Sequence, residues 1–407
     1  NNYVQLAKLL LAHGADPNAY NRGGQCVLVF PLLRDHWHIK QALYQSGASL
    51  DFALDFINAK LIGHRFELCG DVDIVTSDGE YIELDYEGFI LEFSIDVIRN
   101  SLARFKNNYA ARRLRSYFSH IGEITYAFET AANLLNYQHQ RIETFQLEKK
   151  IMPILSQSVL VLPVAYKGHA IAFVQVGEFW AKIDRGANSQ KEGTVNIYKI
   201  GDLNALSTGF IRRLVFQKQS ENYVHQQING ILQLKPLFTL PLSAQITGNC
   251  SWANVEAIVP TALFMLQLES STHFVKKDIE TAMINAFDFY KRWLTWDKDR
   301  SVDECVQSFK EADLKRKASK AAILGAILFQ TCNFGNETHL KRAEKIITIL
   351  MQPEFNYVLR SYLEAYCVRQ LTPRGNNLLK FLEDLGIDSD IGIQSIATSV
   401  TDNKSPT

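Results

Sequence analysis

Four residues carry the chemistry this chain offers most plainly: His169, Asp184, Gln245 and Cys250. A thiol becomes a strong nucleophile when deprotonated, and it needs a neighbouring base and a group to orient that base. Cys250 closes the polar run Gln245-Ile246-Thr247-Gly248-Asn249 and opens Ser251-Trp252-Ala253-Asn254-Val255-Glu256, which has helical spacing. A helix start there sets the sulfur beside unpaired N–H groups, whose partial positive charge favours thiolate over thiol. Gln245, just upstream, carries a side-chain N–H suited to an oxyanion forming beside that sulfur. The base and its orienting acid are sought in a β-rich stretch further upstream, as His169 and then Asp184. The spacing points to a cysteine-hydrolase-like site. Against it stands a plainer reading, in which His169 is a satisfied sheet-edge histidine and Cys250 a small buried hydrophobe.

The elements that must hold these groups read as follows. Val159–Tyr166 is an apolar strand run, Lys167-Gly168 a turn, and His169–Val176 a second strand. Residues 179–184 and 194–200 give two more, separated by a glycine-rich loop, so a mostly antiparallel sheet is expected. His169 then opens a strand and Asp184 ends the next. After Cys250 the helix buries Val255, Ile258 and Val259, and Pro260 breaks it after two to three turns. Residues 89–150 and 274–385 read as helices from their apolar spacing.

At the start of the chain, Leu9-Leu10-Leu11-Ala12-His13-Gly14-Ala15-Asp16-Pro17-Asn18-Ala19 resembles the second helix and turn of an ankyrin repeat. Gly14 recurs as Gly47, an offset of 33, the period of that repeat. Asn18 sits where ankyrin repeats resemble targets of asparaginyl hydroxylase, and the turn-forming role is the favoured one. The second copy is degenerate, with Gln25-Cys26-Val27-Leu28 in place of the usual Thr-Pro-Leu-His. The chain has no initiator Met and starts inside a repeat, so at least one further repeat is expected ahead of Asn1. Asp78-Gly79 between alternating runs predicts a β-hairpin.

These boundaries give residues 1–92 as degenerate ankyrin repeats with a hairpin insertion, 93–150 as a helical connector and 151–270 as a cysteine protease-like α+β domain. A helical domain over 271–392 and a disordered tail over 393–407 complete the chain.

Composition narrows the partners. Of 407 residues, 47% are apolar and 21% charged, and the formal net charge is zero, which disfavours nucleic acid or an anionic membrane as the main partner. The six cysteines are scattered without a CxxC pair, so neither a disulfide framework nor a structural zinc site is expected, and no metal or other cofactor. No run is long and apolar enough for a membrane span. The basic run Leu314-Lys315-Arg316-Lys317-Ala318-Ser319-Lys320 reads as a solvated helix face, with nuclear import as the minority reading.

The chain order His169, Asp184, Gln245, Cys250 resembles that of the clan CE cysteine proteases, which include isopeptidases of ubiquitin-like proteins and related acetyltransferases. The resemblance spans about residues 155–265. It implies a papain-like architecture with Cys250 as nucleophile, His169 as general base and later acid, and Asp184 fixing the imidazole tautomer. Gln245 and the Cys250 N–H would form the oxyanion hole. The chain departs from the pattern at Ala170, where an aromatic residue is usual, at the five-residue step from Gln245 to Cys250, and at Ser251 in place of glycine. A second resemblance covers more of the chain. The ankyrin-like start, Leu84-Asp85-Tyr86-Glu87-Gly88-Phe89 and Gly248-Asn249-Cys250-Ser251-Trp252 look like the Legionella-type ankyrin effectors delivered by type IV secretion. It implies delivery into a host cell, to the cytoplasm or nucleus, and a host protein bound by the ankyrin surface. Hydrolysis of a peptide or ubiquitin-like substrate is the favoured chemistry. A catalytically inactive scaffold and an acyltransferase using the same thiol remain as alternatives.

Overall fold

The computed structural model describes residues 3–138, 142–186, 189–246, 248–270 and 275–387. Thr247 of the turn before Cys250 and the tail expected over 393–407 lie outside the described residues. The fold mixes helices with two antiparallel sheets. By its contacts the chain divides into two compact units, one of Val4–Tyr86 with the described residues from Lys298 onward, the other of Glu87–Asp297.

In the first of these, helices Val4–Ala12, Val29–Leu33, Trp37–Gln45 and Leu50–Phe66 follow one another. Gly14 and Gly47 end their turns at φ +84° and +93°, a left-handed conformation that other residues resist. The Asn18 side chain ties the two turns together, donating to the Gly47 carbonyl at 3.1 Å and accepting from the Ser49 N–H at 2.7 Å. Ser49 then caps the next helix through the Phe52 N–H. Strands β1 (Asp71–Val75) and β2 (Tyr81–Asp85) form the hairpin around Gly79, itself at φ +78°.

Helices Leu314–Thr331, Glu337–Leu350, Asn356–Leu363 and Pro373–Asp384 complete this unit, with Phe329 stacked on Tyr362. Here the basic run differs from the solvated face expected of it. Arg316 donates to both oxygens of Asp55 at 2.6 and 3.1 Å, Lys320 donates to Asp55 at 2.6 Å, and Lys315 donates to the Gly79 carbonyl. Asp55 and Lys320 are both buried. A buried carboxylate demands cationic partners, and this run supplies them.

The second unit is built on a five-stranded antiparallel meander: β3 (Val159–Tyr166), β4 (His169–Val176), β5 (Phe179–Ile183), β6 (Val195–Lys199) and β7 (Lys235–Leu240), in that spatial order. Lys167 and Gly168, both at positive φ, make the two-residue turn that brings Tyr166 opposite His169. Strand β7 is the element the spacing does not announce. Its Pro236 has no N–H to donate, so it is confined to the sheet edge, at the register shift opposite Ile197 and Tyr198.

Helix Cys250–Glu256 stops at Ala257, and Ile258–Glu269 continues beyond it. The Pro260 ring clashes with the carbonyl four residues back, that of Glu256, which sets the break one residue later. Both helices pack on β4, and helices Leu91–Lys106 and Phe118–Tyr137 complete the core around them.

Candidate active site

The end of β5 and the start of β4 meet the start of the Cys250 helix, and there the structure brings together Cys250, His169 and Asp184. The His169 Nε2 lies 2.8 Å from Asp184 Oδ1. The same ring faces the Cys250 sulfur closely enough for each group to shift the other's pKa. With Nε2 committed to the carboxylate, the nitrogen left for the sulfur is Nδ1. The sulfur also accepts from the Ala170 N–H at 3.4 Å.

The electrostatics follow from these contacts. The Asp184 hydrogen bond, with Cys250 beside the ring, outweighs burial and raises the His169 pKa to about 9. Burial alone would raise the Cys250 thiol, but the His169 ring and the Ala170 and Ser251 N–H groups carry it below its ordinary value. Burial likewise opposes ionisation of Asp184, and His169 with the Gly186 N–H at 2.9 Å prevails, lowering it. Cys26, Cys305, Cys332 and Cys367 all go the other way, with burial as the largest cause. Alone among these five cysteines, Cys250 is shifted toward the thiolate, beside a ring shifted toward the imidazolium.

Two neighbours fix this arrangement in place. Gly186 leaves room for the ring, since a Cβ there would stand 2.6 Å from His169 Cε1. Asn254, one helical turn after Cys250, accepts from the Arg185 N–H and donates to the Ala170 carbonyl, both at 2.7 Å. One amide therefore locks the helix to the ends of both strands that carry the acid and the base. Arg185 is buried and donates to the Ser243 and Ala253 carbonyls. These residues were not evident from sequence reasoning, although the step of four from Cys250 to Asn254 placed both on one helix face.

Gln245 is held beside this group through its backbone, whose N–H donates to the Arg185 carbonyl at 2.8 Å. Its side chain makes no hydrogen bond to Cys250 or His169 among the described residues, and its Oε1 is buried without a protein partner. Asn249, at the helix cap, is buried, and neither of its amide atoms has a hydrogen-bond partner among the described residues.

Behind the acid lies a second imidazole. His225, in the π-helical turn Tyr223–Gln227, places Nε2 at 2.6 Å from the Tyr166 hydroxyl and 3.8 Å from Asp184 Oδ2. Sequence spacing gives no signal for it.

A family model described as Dot/Icm T4SS effector AnkD/LegA15 matches residues 94–320, which include all four candidate residues. The solved structure of the Legionella effector AnkH is similar to this chain, with 55% identity and a TM-score of 0.80. The likeness covers 95% of this chain and 82% of that one. No curated protein matches the chain.

Proposed function

This chain belongs to the Dot/Icm T4SS effector AnkD/LegA15 family, and from that premise we propose that it is a cysteine hydrolase acting on host proteins. The reading has two parts: ankyrin-type repeats over residues 1–92 that bind a host protein, and a papain-like domain over residues 151–270 that cleaves a peptide or isopeptide bond. The observation that carries the chemistry is the line from Asp184 through His169 to a thiol lowered from its ordinary pKa.

In this mechanism the Cys250 sulfur attacks the scissile carbonyl, and the carbonyl π electrons move to its oxygen. The Cys250 N–H and the Gln245 side chain are the donors assigned to that oxyanion. Imidazolium His169 then protonates the departing amine as the C–N bond breaks, leaving a thioester on Cys250. Neutral His169 next takes a proton from water, which attacks the thioester and releases the carboxylic acid and the thiolate. Asp184 keeps the ring oriented and balances its positive charge throughout.

A ubiquitin- or SUMO-vinyl sulfone probe tests the reading directly. Covalent labelling of the wild type, absent in Cys250→Ala, supports an isopeptidase. Transfer of acetyl mass to Cys250 from acetyl-CoA would instead select the acyltransferase. Failure of every probe, with Cys250 no more reactive than the other thiols, would leave a scaffold.

A further inference from the structure

We propose that the Arg185 guanidinium is a positioning group for Gln245, holding the turn that carries this oxyanion donor against the helix that carries Cys250. The inference rests on the cysteine-hydrolase reading for what Gln245 does, and its test measures the hold on the turn apart from the chemistry.

Strand β7 ends at Leu240 and the next helix starts at Cys250. Between them the described residues form neither helix nor strand, so the turn takes its place from whatever its backbone groups bond to. Arg185, the residue after the acid Asp184, bonds to it twice over. Its main-chain carbonyl accepts from the Gln245 N–H at 2.8 Å. Its Nε donates to the Ser243 carbonyl at 2.7 Å, and Nη2 donates to the Ser243 hydroxyl at 3.3 Å. Nη1 turns the other way and donates to the Ala253 carbonyl at 3.2 Å, three residues into the Cys250 helix. One planar group thus spans turn and helix, two residues upstream of Gln245. The Gln245 side chain bonds to neither Cys250 nor His169 among the described residues, so its location follows from that backbone.

The surroundings of Arg185 call for a guanidinium and not merely a positive charge. Arg185 is buried, and the Glu256 carboxylate stands 3.9 Å from its Nη1 as the counter-charge. Glu256 accepts from the Trp252 indole N–H at 3.1 Å and from the Tyr290 hydroxyl at 2.9 Å, which fixes it from two sides. An ammonium in the same space balances Glu256 equally well. As a point charge on a flexible stem it does not bridge Ser243 and Ala253 in one fixed geometry. What the guanidinium adds is the bridge.

The test compares two reactions of Cys250 in the full chain, each with the Cys250→Ala background subtracted. Attack on p-nitrophenyl acetate forms a carbon–sulfur bond and places negative charge on the carbonyl oxygen. Expulsion of p-nitrophenolate then leaves an acetyl thioester on Cys250. Alkylation by iodoacetamide displaces iodide and develops no oxyanion. Arg185→Lys is expected to slow acylation about tenfold or more while alkylation stays within about twofold, the pattern also expected of Gln245→Ala. Combining the two substitutions should slow acylation no further than Gln245→Ala alone, because both act through one donor. Hydrogen exchange at the Gln245 backbone N–H reads the hold itself and should quicken in Arg185→Lys. Arg185→Met with Glu256→Gln removes both buried charges together, and it carries the test if the lysine variant does not fold. Equal losses in the two reactions, additive losses in the combined variant, or unchanged exchange at Gln245 would each overturn the inference. If exchange quickens while Gln245→Ala leaves acylation unchanged, the hold on the turn stands and the oxyanion role of Gln245 in the hydrolase reading falls.

Discussion

Burial by itself makes a cysteine inert, and Cys305 shows by how much, with its pKa pushed up to about 12. Cys250 is only half-buried, yet the decisive difference is its company: a cationic ring and two backbone N–H groups turn the shift downward. Iodoacetamide at pH 7 should therefore modify Cys250 ahead of Cys26, Cys305, Cys332 and Cys367. About tenfold in thiolate fraction is expected for each unit of pKa separation, reduced by the lower intrinsic nucleophilicity of a low-pKa thiol. His169→Ala should abolish that lead, and peptide mapping by mass spectrometry reads it. The pairing also has a pH signature. His169 is raised from 6.5 to about 9, so the stability it contributes is complete below about pH 6.5 and is lost as pH rises through 9. The difference in Tm between wild type and His169→Gln should narrow across that window; a constant difference would argue against the pair. Gly186 supplies a steric test of the same geometry. A methyl group there collides with the His169 ring at 2.6 Å, so Gly186→Ala should displace the ring and slow Cys250 alkylation about tenfold or more. Because Gly186 is not at positive φ, the variant should fold, which far-UV circular dichroism checks.

At the scale of elements, the site depends on one amide joining three chain segments. Asn254→Ala leaves the Arg185 N–H and the Ala170 carbonyl without partners in a buried place, at about 1–3 kcal/mol for each. Thermal unfolding should show the loss, and Cys250 reactivity should fall with it because both strand ends are released. Asn254→Asp retains the acceptor but cannot donate to Ala170, so it should recover only part. What sequence spacing made legible here was whatever short-range chemistry decides. The β3–β4 turn is written in Lys167-Gly168, and the helix break in Pro260. Short apolar runs bounded by turn residues mark β3 through β6 nearly to their observed ends. Strand β7 was hidden because Pro236 within it and Pro241 just after it argue against a strand, and only the sheet edge tolerates Pro236. Asn254, Tyr166 and His225 were hidden for another reason. Their roles arise from partners 59 to 84 residues away, and a single sequence without the fold does not state those pairings.

At the scale of the whole molecule, Asp55 joins the two ends of the chain into one folding unit. It sits 261 residues before Arg316 and 265 before Lys320, and all three meet in a largely buried cluster with Asp51 at its rim. Removing one member of such a cluster leaves charge uncompensated, which costs about 3–5 kcal/mol, whereas replacing the pair with apolar groups of similar volume is often neutral. Asp55→Ala should therefore lower the Tm sharply. Asp55→Leu combined with Lys320→Met should recover much of it, since Arg316 keeps Asp51 as a partner. The rate of Cys250 alkylation, which reports on the other unit, serves as the control that the chain has folded. The same cluster sets a condition on the host-protein binding proposed above. If the N-terminal helices present the binding surface, they do so only when the helices from Lys298 onward are there to pair with Asp55 and cover its neighbours. A chain ending at Asp297 should accordingly lose hydrogen-exchange protection along Leu50–Phe66, despite keeping every residue of the N-terminal helices. Full protection of that helix in the shortened chain would show that the N-terminal helices stand alone, and that the cluster is not a condition of their stability.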